Sequence, residues 1–311
     1  MKLTIVIPCF NEEKMIFETN SQLQNIIYDL VKENKISDKS GLLFVDDGSV
    51  DNTWNNIQEI KSNYENVKCL KLAKNAGHQN ALLAGLLTAK LDNDIVISID
   101  ADLQDDIAVI PKMVEKHSNG FEIVYGVRQA RDFDSVFKKQ TALFFYKLMN
   151  FLGAQTIYNH ADYRLMSKRS LDEFSKFEES NLFLRGLVPL LGFSTTTVYY
   201  QRKARFAGET KYPFIKMLNF ALDGITSMSI KPLRLIFLSG ITILVISFFM
   251  LFYILFSYFT GKTVAGWSSL ILSIWFLGSI ILIAIGVLGE YIGKIYTETK
   301  KRPRYIIEEY S

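Results

Sequence analysis

The sequence IVISIDAD at residues 95–102 decides the fold of this chain. It is a short β-branched run that ends at two carboxylates, Asp100 and Asp102, which is typical of a buried parallel strand reaching the edge of a sheet. Mg²⁺ and Mn²⁺ prefer carboxylate oxygens and leave coordination positions for phosphate oxygens and water. The stretch therefore predicts a clamp for Mg²⁺ or Mn²⁺ and a diphosphate. A surface turn is the alternative interpretation, because Asp-x-Asp after an apolar run is common.

The alternation of apolar run, polar loop and helical segment recurs along the first half of the chain. Strands are predicted at residues 3–7, 42–45, 67–72, 95–99 and 121–126, with helical periodicity between them. Strands that alternate with helices predict a mainly parallel, doubly wound α/β sheet that holds its ligands at the carboxyl ends of the strands. The acidic and glycine motifs of this part of the chain follow such ends.

Composition and charge bear on the partners and the compartment. The 311 residues carry 35 Lys and Arg against 32 Asp and Glu, a net charge of +3, so no overall positive field argues for nucleic acid. Cys9 and Cys69 lie in apolar runs and are expected to be small buried hydrophobes in a reducing compartment. The first apolar run is too short for a signal peptide, so the first domain is expected in the cytosol.

The last third of the chain has the character of a membrane anchor. Apolar side chains at helical spacing in residues 213–232 predict an amphipathic helix at the membrane interface, with an ordinary core helix as the alternative. Two uncharged segments, at about 235–259 and 267–289, are each long enough to span a bilayer of ~30 Å. Basic residues flank both outer ends of the pair, so the positive-inside rule makes both ends cytoplasmic.

These patterns predict four parts of a multi-pass plasma-membrane protein. They are a cytosolic α/β domain at residues 1–212, the amphipathic helix at 213–232, a two-helix transmembrane hairpin at 233–293 and a cytosolic tail at 294–311. Hairpins of this kind can self-associate in a membrane, so a homo-oligomer is compatible with the sequence.

Four motifs carry a resemblance to a known family. They are IPCFNEE at residues 7–13, VDDGSVD at 45–51, NAGHQNA at 75–81 and DADLQ at 100–104. Their order and spacing resemble glycosyltransferase family 2. DYRLM at 162–166, RFAGETKY at 205–212 and the two-helix tail extend the resemblance over nearly the whole chain. The longer match resembles the polyprenyl-phosphate glycosyltransferases, which include bactoprenol glucosyltransferases and dolichyl-phosphate mannose synthases.

The resemblance implies a GT-A fold, a UDP- or GDP-sugar donor, a divalent metal and a lipid phosphate acceptor. The residues that it implies for the nucleotide sugar are Pro8, Phe10, Glu12, Asp46, Asp47, Asp100, Asp102 and Gln104, with Asp100 and Asp102 also holding the metal. An alternative for Asp46 or Asp47 is to cap the following helix, since Asp is a favoured cap. His78 could reach a ligand or could only begin a helix.

Basic residues are the candidates for gripping the acceptor phosphate, because Arg offers a planar fork to phosphate oxygens. They are Arg128, Arg131, Arg164, Arg205 and Lys211, each with a solvated surface role as its alternative. Arg128, Asp102 and Asp162 are the expected catalytic residues, and the resemblance offers Asp162 as a base. A phosphate monoester is already largely a dianion at neutral pH, since its second pKa is about 6. We therefore expect Asp162 mainly to orient Arg164 or the acceptor.

The sequence thus predicts a metal-dependent, inverting enzyme that moves one hexose from a UDP-sugar to polyprenyl phosphate at the cytosolic face. UDP-glucose is the favoured donor because residues 75–79 resemble the corresponding motif of bactoprenol glucosyltransferases. UDP-N-acetylglucosamine and GDP-mannose are the alternative donors. A processive polysaccharide synthase needs a Gln-x-x-Arg-Trp element and more spans, which the sequence lacks. A non-catalytic membrane scaffold with the same fold is the rival from another class, and retention of Asp100 and Asp102 argues against it.

Overall fold

A mixed, mostly parallel sheet forms the centre of the computed structural model, which describes residues 1–129, 160–179, 184–201, 229–259 and 266–311. The described strands are β1 (Leu3–Cys9), β2 (Gly41–Asp46), β3 (Val67–Leu72), β4 (Ile95–Ser98), β5 (Ile123–Arg128), β6 (His160–Ser167), β7 (Thr195–Tyr200) and β8 (Ile307–Tyr310). Their order across the sheet is β7-β5-β6-β4-β1-β2-β3-β8.

Strand direction follows the predicted α/β pattern over the first four strands. β1 runs parallel to β2 and β4, and β2 runs parallel to β3. β6 lies antiparallel to both β4 and β5, while β7 is parallel to β5. The predicted mainly parallel α/β sheet is therefore confirmed in its coarser form, as a mixed and mostly parallel sheet.

Helices cover the sheet and link its strands. They are α1 (Ile16–Lys32), α2 (Thr53–Asn63), α3 (His78–Ala89), α4 (Ile110–Ser118), α5 (Lys168–Phe174) and α6 (Leu184–Leu190), with one 3₁₀ turn at Ile107–Val109. All residues of β1, β2 and β4 are buried, which explains why these strands read as unbroken apolar runs. The core lies between these strands and the helices that pack on them.

Helix α3 approaches the sheet closely because of Gly85. A Cβ at this position would lie 2.4 Å from Cγ1 of Val6 in β1 and 2.7 Å from Cγ2 of Val45 in β2. Only a residue without a side chain fits between these two strands and the helix backbone. This contact sets how closely α3 packs against β1 and β2.

Register then brings the strand ends together. Cys9 pairs with Asp46 across β1 and β2, and Val6 pairs with Ser98 across β1 and β4. The carboxyl ends of these three parallel strands therefore share one edge of the sheet. The loops after β1, β2 and β4, which carry three of the sequence motifs, leave from this edge.

Two long apolar helices belong to a second compact unit. They are α7 (Lys231–Phe259) and α8 (Trp267–Thr299). Within the described residues, one stretch, Phe276–Thr299, is long and apolar enough to cross a membrane by length and composition, and its side chains are not buried inside the protein. The predicted second span stays a prediction. The core of the predicted amphipathic helix, residues 214–225, lies outside the described residues.

The last residues of the chain return to the sheet. Cys69 and Ser311 exchange backbone hydrogen bonds of 2.9 and 3.0 Å, and the N–H of Ala73 donates to the carbonyl of Ile306 at 2.9 Å. β8 thereby pairs antiparallel with β3 and forms an edge of the sheet. We predicted only a tail here, since four residues with two glutamates carry too little hydrophobic alternation to mark a strand.

Candidate active site

A cavity of about 250 Å³ opens at the shared edge of β1, β2 and α3. Its walls come from three of the four sequence motifs. They are formed by Pro8, Cys9, Phe10, Asp47, Asn75, Gly77, His78 and Ala81. Phe10 is 45% exposed, so an aromatic face lies open beside the cavity. Open apolar and aromatic surface next to polar groups is the usual composition of a small-molecule site.

The loops after β1 and β2 hold each other in place. The N–H of Asn11 donates to Ser49 Oγ at 3.0 Å, and the N–H of Val50 donates to Asn11 Oδ1 at the same distance. Asn11 has a φ of 56°, a left-handed conformation that Asn adopts more readily than most residues. The N–H of Glu12 donates to Thr53 Oγ1 at 2.8 Å. These bonds fix the loop after β1, which places Phe10 on the cavity wall.

Asp47 closes the turn that leads into α3. Its carboxylate accepts hydrogen bonds from the N–H groups of Ala76 at 2.7 Å and Gly77 at 3.0 Å. Gly48, with a φ of 68°, lets the two loops meet, because a Cβ there would lie 2.6 Å from the backbone nitrogen of Asn75. Asp47 therefore lines the cavity and also holds the turn before α3, which forms part of the cavity wall.

Asp46 is fully buried at the end of β2 and accepts from the N–H of Ser49 at 3.3 Å. Burial raises the pKa of both Asp46 and Asp47. Neither carboxylate caps α2, the helix that follows them. Just before this helix, Asp51 accepts from the N–H of Thr53 at 3.0 Å, and the cap position itself is Asn52. The alternative interpretation of Asp46 and Asp47 as caps of that helix is thus wrong.

His78 begins α3 and lies between two carboxylates. Its Nε2 is 3.6 Å from Asp100 Oδ1 and 3.7 Å from Asp162 Oδ2. Burial disfavours the charged imidazole, but hydrogen bonding to Asp162 and the charge of Asp100 outweigh burial and raise the pKa of His78. The residue therefore bridges the ends of β4 and β6 as well as starting a helix.

Asp100 and Asp102 follow β4 at the same edge. Burial raises the pKa of Asp100 to about 6; His78 opposes the shift, and the neighbouring charge of Asp105 adds to it. Asp102 Oδ1 accepts from the N–H of Gln104 at 3.2 Å, and Gln104 itself is buried. The turn is tight, since Leu103 between them has a φ of 52°. This turn fixes the backbone directly after the two acids and holds the carboxylate of Asp102.

These acids fit a divalent cation by their chemistry. Among the described residues, no group of three His, Cys, Asp or Glu side chains surrounds a common point. Asp100 and Asp102 would therefore supply two carboxylates, with phosphate oxygens and water completing the coordination of Mg²⁺ or Mn²⁺. Burial is the main cause of the raised pKa of Asp100, and the charges of Asp105, Asp162 and Asp102 add to it, so a bound cation would favour the ionised carboxylate.

Asp162 in β6 is held by two guanidinium groups. Nη2 of Arg164 lies 2.6 Å from its Oδ1, and Nη2 of Arg185 lies 3.1 Å from its Oδ2. Burial alone would raise the pKa of Asp162, but Arg185 and the hydrogen bond from His78 hold it well below its usual value. Ser98 of β4 also donates to the backbone carbonyl of Asp162. The carboxylate is ionised and firmly positioned.

Arg128 at the end of β5 belongs to a second ionic cluster. Its Nε and Nη2 donate to Asp105 Oδ1 at 3.1 and 3.0 Å. The hydroxyl of Tyr200 at the end of β7 donates to the same oxygen at 2.6 Å. Asp105 is buried, and the positive charge of Arg128 is therefore anchored where β5 and β7 end. The guanidinium remains about one quarter exposed.

The structure brings most of the predicted residues together. Pro8, Phe10 and Asp47 border the cavity, and Asp100, Asp102 and Asp162 lie along the same strand ends. Arg164 is 1% exposed and points into the protein, where it pairs with Asp162. The predicted Arg131, Arg205 and Lys211 lie outside the described residues.

Our sequence analysis missed three residues of these clusters. They are Asp105, Arg185 and Tyr200. Arg185 had a readable signal, because it is the only charged residue in the apolar run at 181–193. A single cation inside such a run needs a partner once the run is packed. Tyr200 had no comparable signal, since its partner Asp105 is distant in sequence.

Comparison with known proteins identifies the class. The chain is 54% identical to the uncharacterized glycosyltransferase YkoT of Bacillus subtilis over 306 residues, which cover 98% of this chain and 91% of that protein. It is 41% identical over 312 residues to the prophage bactoprenol glucosyl transferase homolog of Escherichia coli, with 99% of each chain covered. A bactoprenol glucosyl transferase of Shigella phage SfX is 40% identical, with the same coverage.

A solved structure of lower similarity is the mannosyltransferase PcManGT from Pyrobaculum calidifontis in complex with GDP-Man and Mn²⁺. It is 18% identical, covers 72% of this chain and 70% of its own, and has a TM-score of 0.45. The model of glycosyl transferase family 2 matches residues 4–175. The protein is a glycosyltransferase. It belongs to glycosyl transferase family 2, which confirms the resemblance read from the sequence motifs.

Proposed function

We propose that this protein transfers one hexose from a UDP-sugar, with UDP-glucose favoured, to a polyprenyl phosphate such as undecaprenyl phosphate at the cytosolic face of the membrane. The observation that carries the proposal is identity of about 40% to proteins described as bactoprenol glucosyl transferases across 99% of both chains. That similarity includes the apolar helices as well as the sheet. The reaction is proposed to be inverting and metal-dependent.

The donor side of the proposed site is supported by the cavity and by the two acids, Asp100 and Asp102, that follow β4. Pro8 and Phe10 offer apolar surface to a nucleoside, while Asp46 lies fully buried at the adjacent strand end. Asp100 and Asp102 would hold Mg²⁺ or Mn²⁺ against the donor diphosphate. When bound, the cation supplies charge neutralisation for the leaving diphosphate.

Use of the acceptor phosphate should depend on cationic side chains that bind it more than on a general base. A phosphate monoester is largely a dianion at neutral pH, so its oxygen is already nucleophilic. Asp162 is ion-paired with two arginines, which makes it a weak proton acceptor. Arg128 is held at a strand end by Asp105 and is our candidate for an acceptor-phosphate ligand, together with Arg131, Arg205 and Lys211. Arg164 is buried, and its proposed part is to hold Asp162.

The proposed membrane anchor has two spans, α7 and α8. β7 and β8 belong to one sheet, and the chain between them contains both long apolar helices. A sheet cannot be divided by a bilayer, so the chain between β7 and β8 would cross the membrane an even number of times. With Phe276–Thr299 as one span, this count supports α7 as the other. Both ends of the anchor would then lie on the same side of the membrane as the residues that form the sheet.

The experiment is a transfer assay with the full-length protein purified in detergent. The protein is incubated with undecaprenyl phosphate, Mg²⁺ or Mn²⁺ and, separately, UDP-glucose, UDP-N-acetylglucosamine and GDP-mannose, and the lipid product is weighed by mass spectrometry. We expect one added hexose from UDP-glucose. Transfer from another donor instead would correct the sugar, and transfer from none would favour a non-catalytic membrane scaffold.

A further inference from the structure

Arg185 at the start of α6 and Arg164 in β6 contact the same carboxylate, that of Asp162. Arg185 is the more exposed of the two arginines. Its Nη2 lies 3.1 Å from Asp162 Oδ2 and its Nε lies 3.4 Å from Asp162 Oδ1. The side chain of Arg185 is 36% exposed, whereas that of Arg164, on the other side of the same carboxylate, is 1% exposed. One guanidinium is thus buried, and the other faces solvent at the carboxyl edge of the sheet.

Asp162 is well placed to position Arg185. The carboxylate is fixed by Arg164, whose Nη1 also donates to the carbonyl of Leu184 at 3.4 Å. The N–H of Leu184 donates in turn to Gln79 Oε1 at 2.9 Å, which ties the start of α6 to the start of α3. Both the backbone before Arg185 and the carboxylate that it contacts are therefore restrained. A preorganised Arg loses less conformational entropy when it binds a ligand.

The charges around Arg185 are of both signs. One carboxylate, Asp162, serves two guanidinium groups and also contacts His78, and Asp100 on the other side of His78 adds a second negative charge. Burial disfavours the charged form of Arg185, but Asp162 outweighs burial and raises the pKa, so the group stays protonated. The positive charge of Arg128 repels that of Arg185 and by itself lowers the pKa of Arg185. An oxyanion between such cations would remove their mutual repulsion.

We propose that Arg185, positioned by Asp162, binds a phosphate oxygen of one of the two substrates in the transfer reaction. This inference rests on the proposed function, which brings a sugar diphosphate and a lipid phosphate to the same strand ends. The shared ligand chemistry is a phosphate oxyanion held by a charge-assisted, two-pronged hydrogen bond.

The test compares three variants in the full-length, detergent-purified protein. Arg185→Gln removes the charge, and Arg185→Lys keeps the charge but loses the planar fork. Arg169→Gln is the matched control, since Arg169 is 74% exposed on α5 and lies 3.5 Å from the carboxylate of Glu122. The measurements are the Kd for UDP with Mn²⁺, the KM for undecaprenyl phosphate, kcat and the thermal unfolding midpoint.

We expect Arg185→Gln to weaken one binding constant roughly 10- to 100-fold, as for other hydrogen bonds to charged groups. A higher Kd for UDP assigns Arg185 to the donor diphosphate. A higher KM for the lipid with an unchanged Kd for UDP assigns it to the acceptor. Arg185→Lys should recover part of the loss, and Arg169→Gln should match the wild type.

The proposal is overturned if Arg185→Gln leaves both constants within twofold of the wild type. It is also overturned if Arg185→Lys unfolds as readily as Arg185→Gln and neither loss is specific to one substrate, since the residue would then be structural. Should the wild type fail to transfer glucose to undecaprenyl phosphate, the proposed function fails. The Kd for UDP then decides the role of Arg185 alone.

Discussion

Asp162 Oδ1 lies 2.6 Å from Nη2 of Arg164, and both side chains are buried. An ion pair of this kind does not act freely as an acid or base, because losing the carboxylate charge would strand a buried guanidinium. Breaking a buried pair by removing one partner costs about 3–5 kcal/mol. The sequence alone leaves two roles open for Asp162, positioning and proton transfer. The buried ion pair favours positioning.

Asp162→Asn should lose less than about 10²-fold in kcat at saturating lipid phosphate, per folded protein, because the acceptor needs no general base. Its effect on substrate binding should be non-additive with that of Arg185→Gln, since both act on one ion pair. Steady-state kinetics of the single and double variants measure this. Loss of all turnover while UDP and lipid bind normally would make Asp162 an essential base.

The lowered pKa of Asp162 gives a prediction for pH. Its ionised form stabilises the folded state above the unfolded-state value of about 3.9, and this stability is lost only as pH falls through the still lower folded value. The difference in unfolding midpoint between the wild type and Asp162→Asn should thus persist from pH 8 to pH 5, and it should grow as His78, whose pKa Asp162 raises, takes up its proton. A difference that vanishes near pH 6 would show that Asp162 takes up a proton there.

Asp102→Asn should keep the fold and lose nearly all transfer, because the variant weakens the proposed hold on the metal beside the diphosphate. Chelator should do the same to the wild type, and Mn²⁺ or Mg²⁺ should restore activity. Asp92→Asn is the control, since Asp92 is an exposed partner of Lys68. Full activity of the wild type in chelator would contradict a metal-dependent reaction.

Gly85→Ala should destabilise the protein although Ala is the better helix former. The new methyl would lie 2.4 Å from Cγ1 of Val6. Overpacking costs typically 1–3 kcal/mol, against a gain of about 1 kcal/mol in helix propensity. We expect a lower thermal unfolding midpoint than for the wild type, whereas Thr88→Ala in the same helix should be neutral or stabilising. An unchanged midpoint for Gly85→Ala would mean that α3 can move away from the strands.

Cys69 should be unreactive in the folded protein. The thiol is fully buried, and burial raises its pKa to about 11, so only about one thiol in a thousand is a thiolate at pH 8. N-ethylmaleimide should label it only after denaturant is added, which mass spectrometry of Cys69 peptides measures. Labelling of the folded protein as fast as free cysteine would show that β3 opens.

The sequence predicts the sheet well because its signals are local. β1, β2 and β4 are largely apolar runs, β3 alternates apolar residues with lysine, and each is followed by a polar motif that parallel pairing places at one edge. This is why Asp47, Asp100 and Asp102 could be expected near one site. Strand periodicity and motif order were enough for these residues.

The ionic clusters could not be predicted because they join distant parts of the chain. Arg128 meets Asp105 and Tyr200, which are 23 and 72 residues away, and Arg185 meets Asp162 across 23 residues. No period or motif links these positions. Arg164 also shows that a basic residue within a family motif can be buried as a partner of its neighbouring acid.

The pairing of β8 with β3 has a consequence for biosynthesis. Lys68 and Tyr310, which are in contact through their side chains, are 242 positions apart. The ribosome therefore makes β8 after every other described strand, and β3 keeps an open edge until β8 has been made. Open strand edges are templates for unwanted pairing. Pairing of β8 thus acts as a completion step for the sheet, which a nascent chain stalled inside the apolar helices never reaches.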